Sequence, residues 1–453
     1  MPARNKMPVS VLILVLALAA PAATFAWSNH ALLAAISLAE EGWGTRMVIV
    51  EPLDDFLSSA KAGVATALTA AEAKAKSDYK GYKPLPAALA FNPATEGEAL
   101  RASFVGAIRV NPGMPFPDFL QVPVNEASER PGLASDASVF KELKVPNSPL
   151  RALETGEEVE ALKVVETAAE EPDYGMDIGL YEDNNTDYGK AYGFGVQPFG
   201  NPALFYGSQA PFHMSFDNED GIIHMLATFT TESNVGYRLD LYSALSRAAF
   251  AAGHEYWGWR FAGWALHYVQ DITMPYHATV MPSKDTFGLI LLNGLGSKAD
   301  KDAAVTLLSN RHSILEDYQG AAFLAWAGDH RASQLYAALK PGALSYPVAP
   351  LEHSGKAWAL AILGKASRAR GIETDKAIVA AFPANYVSDP SFDFGKWQAD
   401  TGYAYDPHAE LLAVDSMKAQ AFEAVLAKSL AATGAGARGF MASFSAAGTS
   451  AIK

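Results

Sequence analysis

The sequence predicts a mainly α protein, a multi-helix bundle with a metal cluster in its core and long loop-rich insertions. From about residue 233 onward the chain is rich in Ala, Leu and Lys, with apolar residues recurring at three and four spacing. Two segments, His267-Tyr-Val-Gln-Asp271 and His312-Ser-Ile-Leu-Glu316, each set an imidazole four residues before a carboxylate. That separation puts both groups on one helix face. Half of the 453 residues are apolar, so a sizeable core is expected.

The first 26 residues read as a secretory signal. Arg4 and Lys6 supply the positive start, residues 9–20 the apolar stretch, and Thr24-Phe25-Ala26 a small-residue cleavage site. Cleavage would leave Trp27-Ser28-Asn29-His30 at the mature terminus of a secreted or periplasmic protein. An α-amino group has a pKa of roughly 7.7 to 8.0, so a metal can displace its proton and be chelated by the amine together with its own carbonyl. His30 is placed to complete such a site. The plain alternative is that Trp27 caps the first core helix.

Helices are expected over about residues 29–40 and 53–76. Ten of the 26 prolines then fall between Pro84 and Pro149, so a loop-rich insertion at about 84–150, without long regular elements, is expected over the helical body. A second loop-rich segment covers about 170–220. Further helices follow at 237–252, 255–272, 297–327, 355–370, 376–382 and 409–432. The body is read as one helical domain, residues 27–433. Gly434-Ala435-Gly436 is expected to end the last helix, with 434–453 as a loosely packed tail.

Composition narrows the function. Net charge is -14, and losing Arg4 and Lys6 makes the chain more acidic still, which disfavours sequence-blind attraction to nucleic acid or anionic lipid. Bound divalent cations would reverse the potential locally. The absence of cysteine excludes a thiol nucleophile or ligand. Beyond the signal, no apolar run reaches the ~18 residues of a membrane-spanning helix.

The two His-acid pairs are the strongest chemical signal. His267 and Asp271 sit in an apolar, aromatic segment, where an unpaired carboxylate would cost several kcal/mol (order of magnitude) unless it met a counter-charge or a metal. Pro275 ends or kinks that helix, and His277 can turn back toward the same face. A buried structural ion pair is the alternative. Among other histidines, His254 falls off the ligand face, near a helix start, and His224 reads as a satisfied core residue. His330, His353 and His408 look structural. The cluster Tyr256, Trp257, Trp259, Phe261 and Trp264 reads as core rather than lipid-binding surface.

Taken in order, Trp27 through His30, the run His267-Tyr-Val-Gln-Asp271-Ile-Thr-Met-Pro275-Tyr-His277, and His312-Ser-Ile-Leu-Glu316 resemble zinc-binding segments of the secreted zinc-dependent phospholipases C and the related single-strand-specific nucleases. Phe212-His213-Met-Ser-Phe216-Asp217 resembles the family's histidine segment, and Glu171-Pro172-Asp173-Tyr174 its aspartate segment, with Asp177 near enough to compete. The resemblance implies an α-helical, exported phosphodiester hydrolase with three zinc ions. Asp173, His213, His267 and Asp271 would hold one; His277, His312 and Glu316 a second; Trp27 and His30 a third, with Asp271 able to bridge. Asp173 is the implied catalytic residue, holding or accepting the proton of the attacking water.

This sequence departs from the family pattern at Gln270, where phospholipases have a small residue, and at Val280, where they have Asn. Thr273 is nearer the nuclease form, while Glu316 is the phospholipase choice. The implied substrate is a phospholipid, with transient membrane-surface contact, or alternatively single-stranded nucleic acid. A zinc-stabilised helical protein without turnover is the remaining alternative. No protein partner is expected.

Overall fold

Every residue from Tyr256 to Asp271 is buried, and this helix organises the molecule. The computed structural model describes residues 29–122, 130–132, 134–140, 149–329, 333–350, 355–402 and 404–450. The predicted signal and Trp27 lie outside them, as do His330 and His353. The main helices are α1 (His30–Leu38), α2 (Leu53–Asp78), α3 (Gly97–Ile108), α4 (Ala161–Glu170), α5 (Val235–Ala251), α6 (Glu255–Asp271), α7 (Thr286–Leu295), α8 (Lys298–Asp329), α9 (Lys365–Ala381) and α10 (Ser416–Ser450). The protein is mainly helical, as the three and four spacing predicts.

A helix that is apolar nearly all round must be enclosed. Helix α6 is covered by α4, α5 and α10, while α1 lies across α4 and α10. Trp257, Phe261 and Trp264 pack against one another along it, tilted and edge-to-face, so the cluster is core as expected. A second apolar core surrounds Ile314, Leu315 and Tyr318 of α8, and a third, smaller one joins Phe199, Met214, Phe216, Val280 and Leu289.

Strand is confined to short edges. Strand β1 (Met47–Ile49) pairs antiparallel with β5 (Glu158–Glu160), Val48 opposite Val159. Strands β2 (Phe119–Gln121) and β3 (Pro131–Gly132) both pair antiparallel with β4 (Leu150–Ala152).

Three expectations need correction. The 84–150 insertion contains a regular 12-residue helix, α3, because residues 97–108 are free of the prolines that crowd either side. The helices expected at 355–370 and 376–382 are one run, a π-helical turn at Leu360–Gly364 passing directly into α9. The tail expected at 434–453 is instead the second half of α10, with Ala435, Ala437, Met441 and Phe444 buried. Its glycines are there for closeness: a Cβ at Gly434 would meet the Leu339 carbonyl oxygen at 2.1 Å, and one at Gly436 would meet Leu363 at 2.7 Å.

Candidate metal centre

The loop-rich segment after α4 turns at once into a short 3-10 helix, Glu171–Tyr174. This sets Asp173 beside the C-terminal end of α6, where His267 and Asp271 project from one face. The short helix Ala210–His213 brings in His213, and Pro275 starts the helix Pro275–Ala278 that turns His277 back. His312 and Glu316 come from the middle of α8. Asn29, in a left-handed conformation (φ 63°) that Asn tolerates better than most side chains, turns the chain into α1 and delivers His30.

Eight of the nine predicted ligands are thereby gathered and buried; the ninth, Trp27, lies outside the described residues. Around the first group, His213 Nδ1 is 3.0 Å from Asp271 Oδ2 and 3.1 Å from His267 Nε2. His267 Nε2 is 3.3 Å from the same Asp271 oxygen, and Asp173 Oδ1 stands 3.8 and 3.9 Å from the two imidazoles. Tetrahedral bonds of about 2.0–2.1 Å imply ligand edges of about 3.3 Å, so the atoms of His213, His267 and Asp271 suit a single ion, with Asp173 a little further out. Beside it, His30 Nε2 is 3.4 Å from Asp271 Oδ1 and 3.7 Å from Asp173 Oδ2. Both aspartates thus face two groups at once. In the third group, His277 Nε2, His312 Nε2 and Glu316 Oε1 are separated by 3.1, 2.7 and 3.8 Å.

The opposite ring nitrogens are tied down. His267 Nδ1 meets the Ala169 carbonyl at 2.8 Å, His277 Nδ1 the His213 carbonyl at 2.9 Å, and His30 Nδ1 Oε1 of Gln270 at 2.7 Å. A neutral imidazole that donates there presents a bare nitrogen on its other side. Bare nitrogens and carboxylate oxygens therefore converge, an arrangement that repels itself unless a cation or extra protons stand between. Both oxygens of Asp173, Oδ1 of Asp271 and Nε2 of His30 have no hydrogen-bond partner among the described residues, although all are buried. Three His/Asp/Glu groups could therefore hold metal ions.

With the side chains alone, protons supply the balancing charge. Burial pushes Asp173 well above the usual carboxylate range, with the Asp271 charge adding to it and His213 opposing. Asp271, despite the burial that would raise it, is held well below by His267 and His213. Burial lowers His30, His277 and His312, the last to about 3. His213 goes the other way, raised to about 10 against its burial by Asp271, Asp177 and Asp173.

Asp177 does not join any group. Its carboxylate takes Arg238 Nε at 3.0 Å and Nη2 at 2.6 Å and the Tyr268 hydroxyl at 2.6 Å, and Arg238 keeps its pKa down at about 2 despite burial. From there it faces His213 Nε2 at 3.3 Å, leaving Nδ1 toward the first group. His224 is half-buried and bonded to Thr230 (2.8 Å), not the core residue expected, because helix Gly221–Leu226 lies at the surface. His254 begins α6, bonded to Glu51 and Ser59.

Two supporting residues escaped the sequence reading. Gln270 showed only as a departure from the family pattern, yet it grips His30 through its Oε1 and, at 3.4 Å, through the His30 carbonyl. Its position three residues after His267, on the ligand side of α6, was a usable signal. Glu170, raised to about 7 by burial, accepts the Ala31 backbone N–H at 2.9 Å and so fixes the first turn of α1. Nothing in the sequence separates it from other acids.

What fold and site define is a mainly helical protein with buried His/Asp/Glu groups able to bind metal ions. No family model, curated protein or solved structure matches the chain. No helix among the described residues is long and apolar enough to cross a membrane.

Proposed function

We propose that this chain is a secreted zinc-dependent phosphodiester hydrolase of the phospholipase C type, carrying three zinc ions. The observation that carries the reading is the convergence of bare imidazole nitrogens and carboxylate oxygens at the spacing of a shared ion, on the residues that resemble that family's ligands. An all-nitrogen-and-oxygen donor set with imidazole prominent suits zinc. Zinc held there supplies a water nucleophile at neutral pH and offsets charge on the phosphoryl oxygens.

The chain's own residues do the rest. Asp173, with one oxygen toward each of two groups, holds the water's proton or accepts it. Asp177 and Arg238 fix the His213 ring, and Gln270 and Glu170 hold His30 and the start of α1. The apolar shell of α6 keeps bulk water from the carboxylates. The phospholipid substrate is favoured over single-stranded nucleic acid by Glu316 and by the acidic charge.

The deciding experiment offers the zinc-loaded mature chain phosphatidylcholine and denatured DNA. Phosphocholine release, abolished by chelation and restored by zinc, is expected. Mononucleotides from DNA alone would overturn the phospholipase assignment in favour of the nuclease. Zinc that raises the melting temperature while neither substrate is cleaved would leave a metal-stabilised helical protein. A chain keeping one residue before Trp27 is expected to bind the third ion poorly and lose activity while the other two groups stay loaded; full activity would remove Trp27 from the ligand set.

A further inference from the structure

An uncharged apolar surface lies between the metal-ligand segments, on two helices next to each other. Helix α7 reads Thr286-Phe-Gly-Leu-Ile-Leu-Leu-Asn-Gly-Leu295, ten residues without a charge. Leu289, Ile290 and Leu292 pack inward on the third apolar core. Phe287, Leu291 and Leu295, each four residues from the next and therefore on one face, are 67%, 41% and 82% exposed. Helix Gly221–Leu226 packs alongside, the Thr286 hydroxyl donating to Asp220 at its start. It turns Ile223 inward and leaves Ile222, Met225 and Leu226 exposed.

We propose that these two faces dock the protein on the surface of a zwitterionic phospholipid bilayer. The proposal rests on the phospholipase reading and extends it to how the enzyme meets its substrate. Size argues against a protein occupant. Ten helical residues are about 15 Å long, and two helices about 10 Å across give a footprint on the order of 300 Å². A stable protein interface needs about 800 Å² per partner. An interfacial helix needs only enough apolar surface to sink about 5–10 Å into the headgroup boundary.

Charge selects the lipid. The rim carries both signs, Asp220 and Asp285 beside Lys284 and Arg368, with Arg368 Nη2 3.4 Å from Asp220. Such a rim matches headgroups that themselves carry a phosphate and an ammonium, and the net charge of -14 opposes anionic membranes. Position links the face to chemistry. The same apolar core that seats Ile223 and Leu289 contains Val280 and Met214, which with Tyr276 and His312 line a small recess at the third metal group.

The test is flotation of the zinc-loaded full chain with phosphatidylcholine vesicles. The triple variant Phe287→Glu, Leu291→Glu, Leu295→Glu is expected to lower partitioning at least about tenfold. The pair Val414→Glu, Met417→Glu, apolar side chains on other helices and at least as exposed on average, should change it less than about twofold. Failure of the unmodified chain to bind, or equal binding by the triple variant, overturns docking. A dimer in sedimentation that the triple variant dissolves also overturns it, in favour of a second copy of the chain. Turnover of a monomeric short-chain phosphatidylcholine separates the two readings. Vesicle binding without any turnover supports docking and sinks only the proposed activity, whereas turnover without vesicle binding overturns docking alone.

Discussion

Glu171 and Asp173 lie two residues apart on one turn, both fully buried against α6, and the helix treats them differently. Toward its first half α6 offers Glu171 a complete partner. Arg260 Nε reaches it at 2.9 Å, Trp264 Nε1 donates at 2.8 Å, and Asp118 balances the far side of the guanidinium at 3.3 Å. Toward its last turn α6 offers Asp173 another acid, Asp271, and imidazoles whose bare nitrogens face it. The first region contains its own counter-charge; the second sets Asp271 against His213 and leaves both oxygens of Asp173 without a hydrogen-bond partner among the described residues. Burial alone therefore says little about function, and the informative quantity is which buried charges the protein leaves uncompensated.

That contrast can be broken at several strengths. Replacing Asp271→Asn removes a donor from two groups, and the expected loss of phosphodiesterase activity is several kcal/mol of barrier, roughly 10³-fold. Zinc content should fall by at least one ion per chain; a variant that keeps its full zinc complement would contradict this. Arg260→Met strands Glu171 and should cost about 3–5 kcal/mol in denaturant unfolding. Its zinc content should stay intact. If Arg260→Met instead emptied the metal groups while leaving stability unchanged, the two ends of α6 would not be independent.

Weaker effects follow from the supports. Gln270→Ala should reduce affinity at the His30 group by about 10–100-fold, the usual range for residues that orient a ligand, with the other groups unaffected in a chelator-competition titration. Gln270→Glu, which keeps the accepting oxygen, should recover part of it. Glu170→Gln is expected to cost only about 1 kcal/mol, because an acceptor for Ala31 N–H remains. A larger loss measured by thermal unfolding would mean that the Glu170 charge itself matters to the start of α1.

Much of this was legible because α6 and α8 write their chemistry in regular periods. His267 with Asp271 and His312 with Glu316 are visible at four spacing, and Pro275 signals the return of His277. The loop ligands were legible only through resemblance, since Asp173 and Asp177 stand in the same loop with no periodicity to rank them. Arg238 separates them in space, drawing Asp177 away from a distance of 61 residues in sequence. The long C-terminal helix was misread for a related reason. Gly434 and Gly436 carry the local mark of a helix stop, and only their contacts with Leu339 and Leu363 reveal that they serve packing. Local signals fail where the reason for a residue lies in a distant segment.

The most direct measurement is anomalous diffraction at the zinc edge from crystals of the chain processed to begin at Trp27. Three peaks are predicted: one among Asp173, His213, His267 and Asp271, one beside His30, and one among His277, His312 and Glu316. A well-ordered protein with these side chains in place and no zinc peak, even after soaking in zinc, would contradict the central claim.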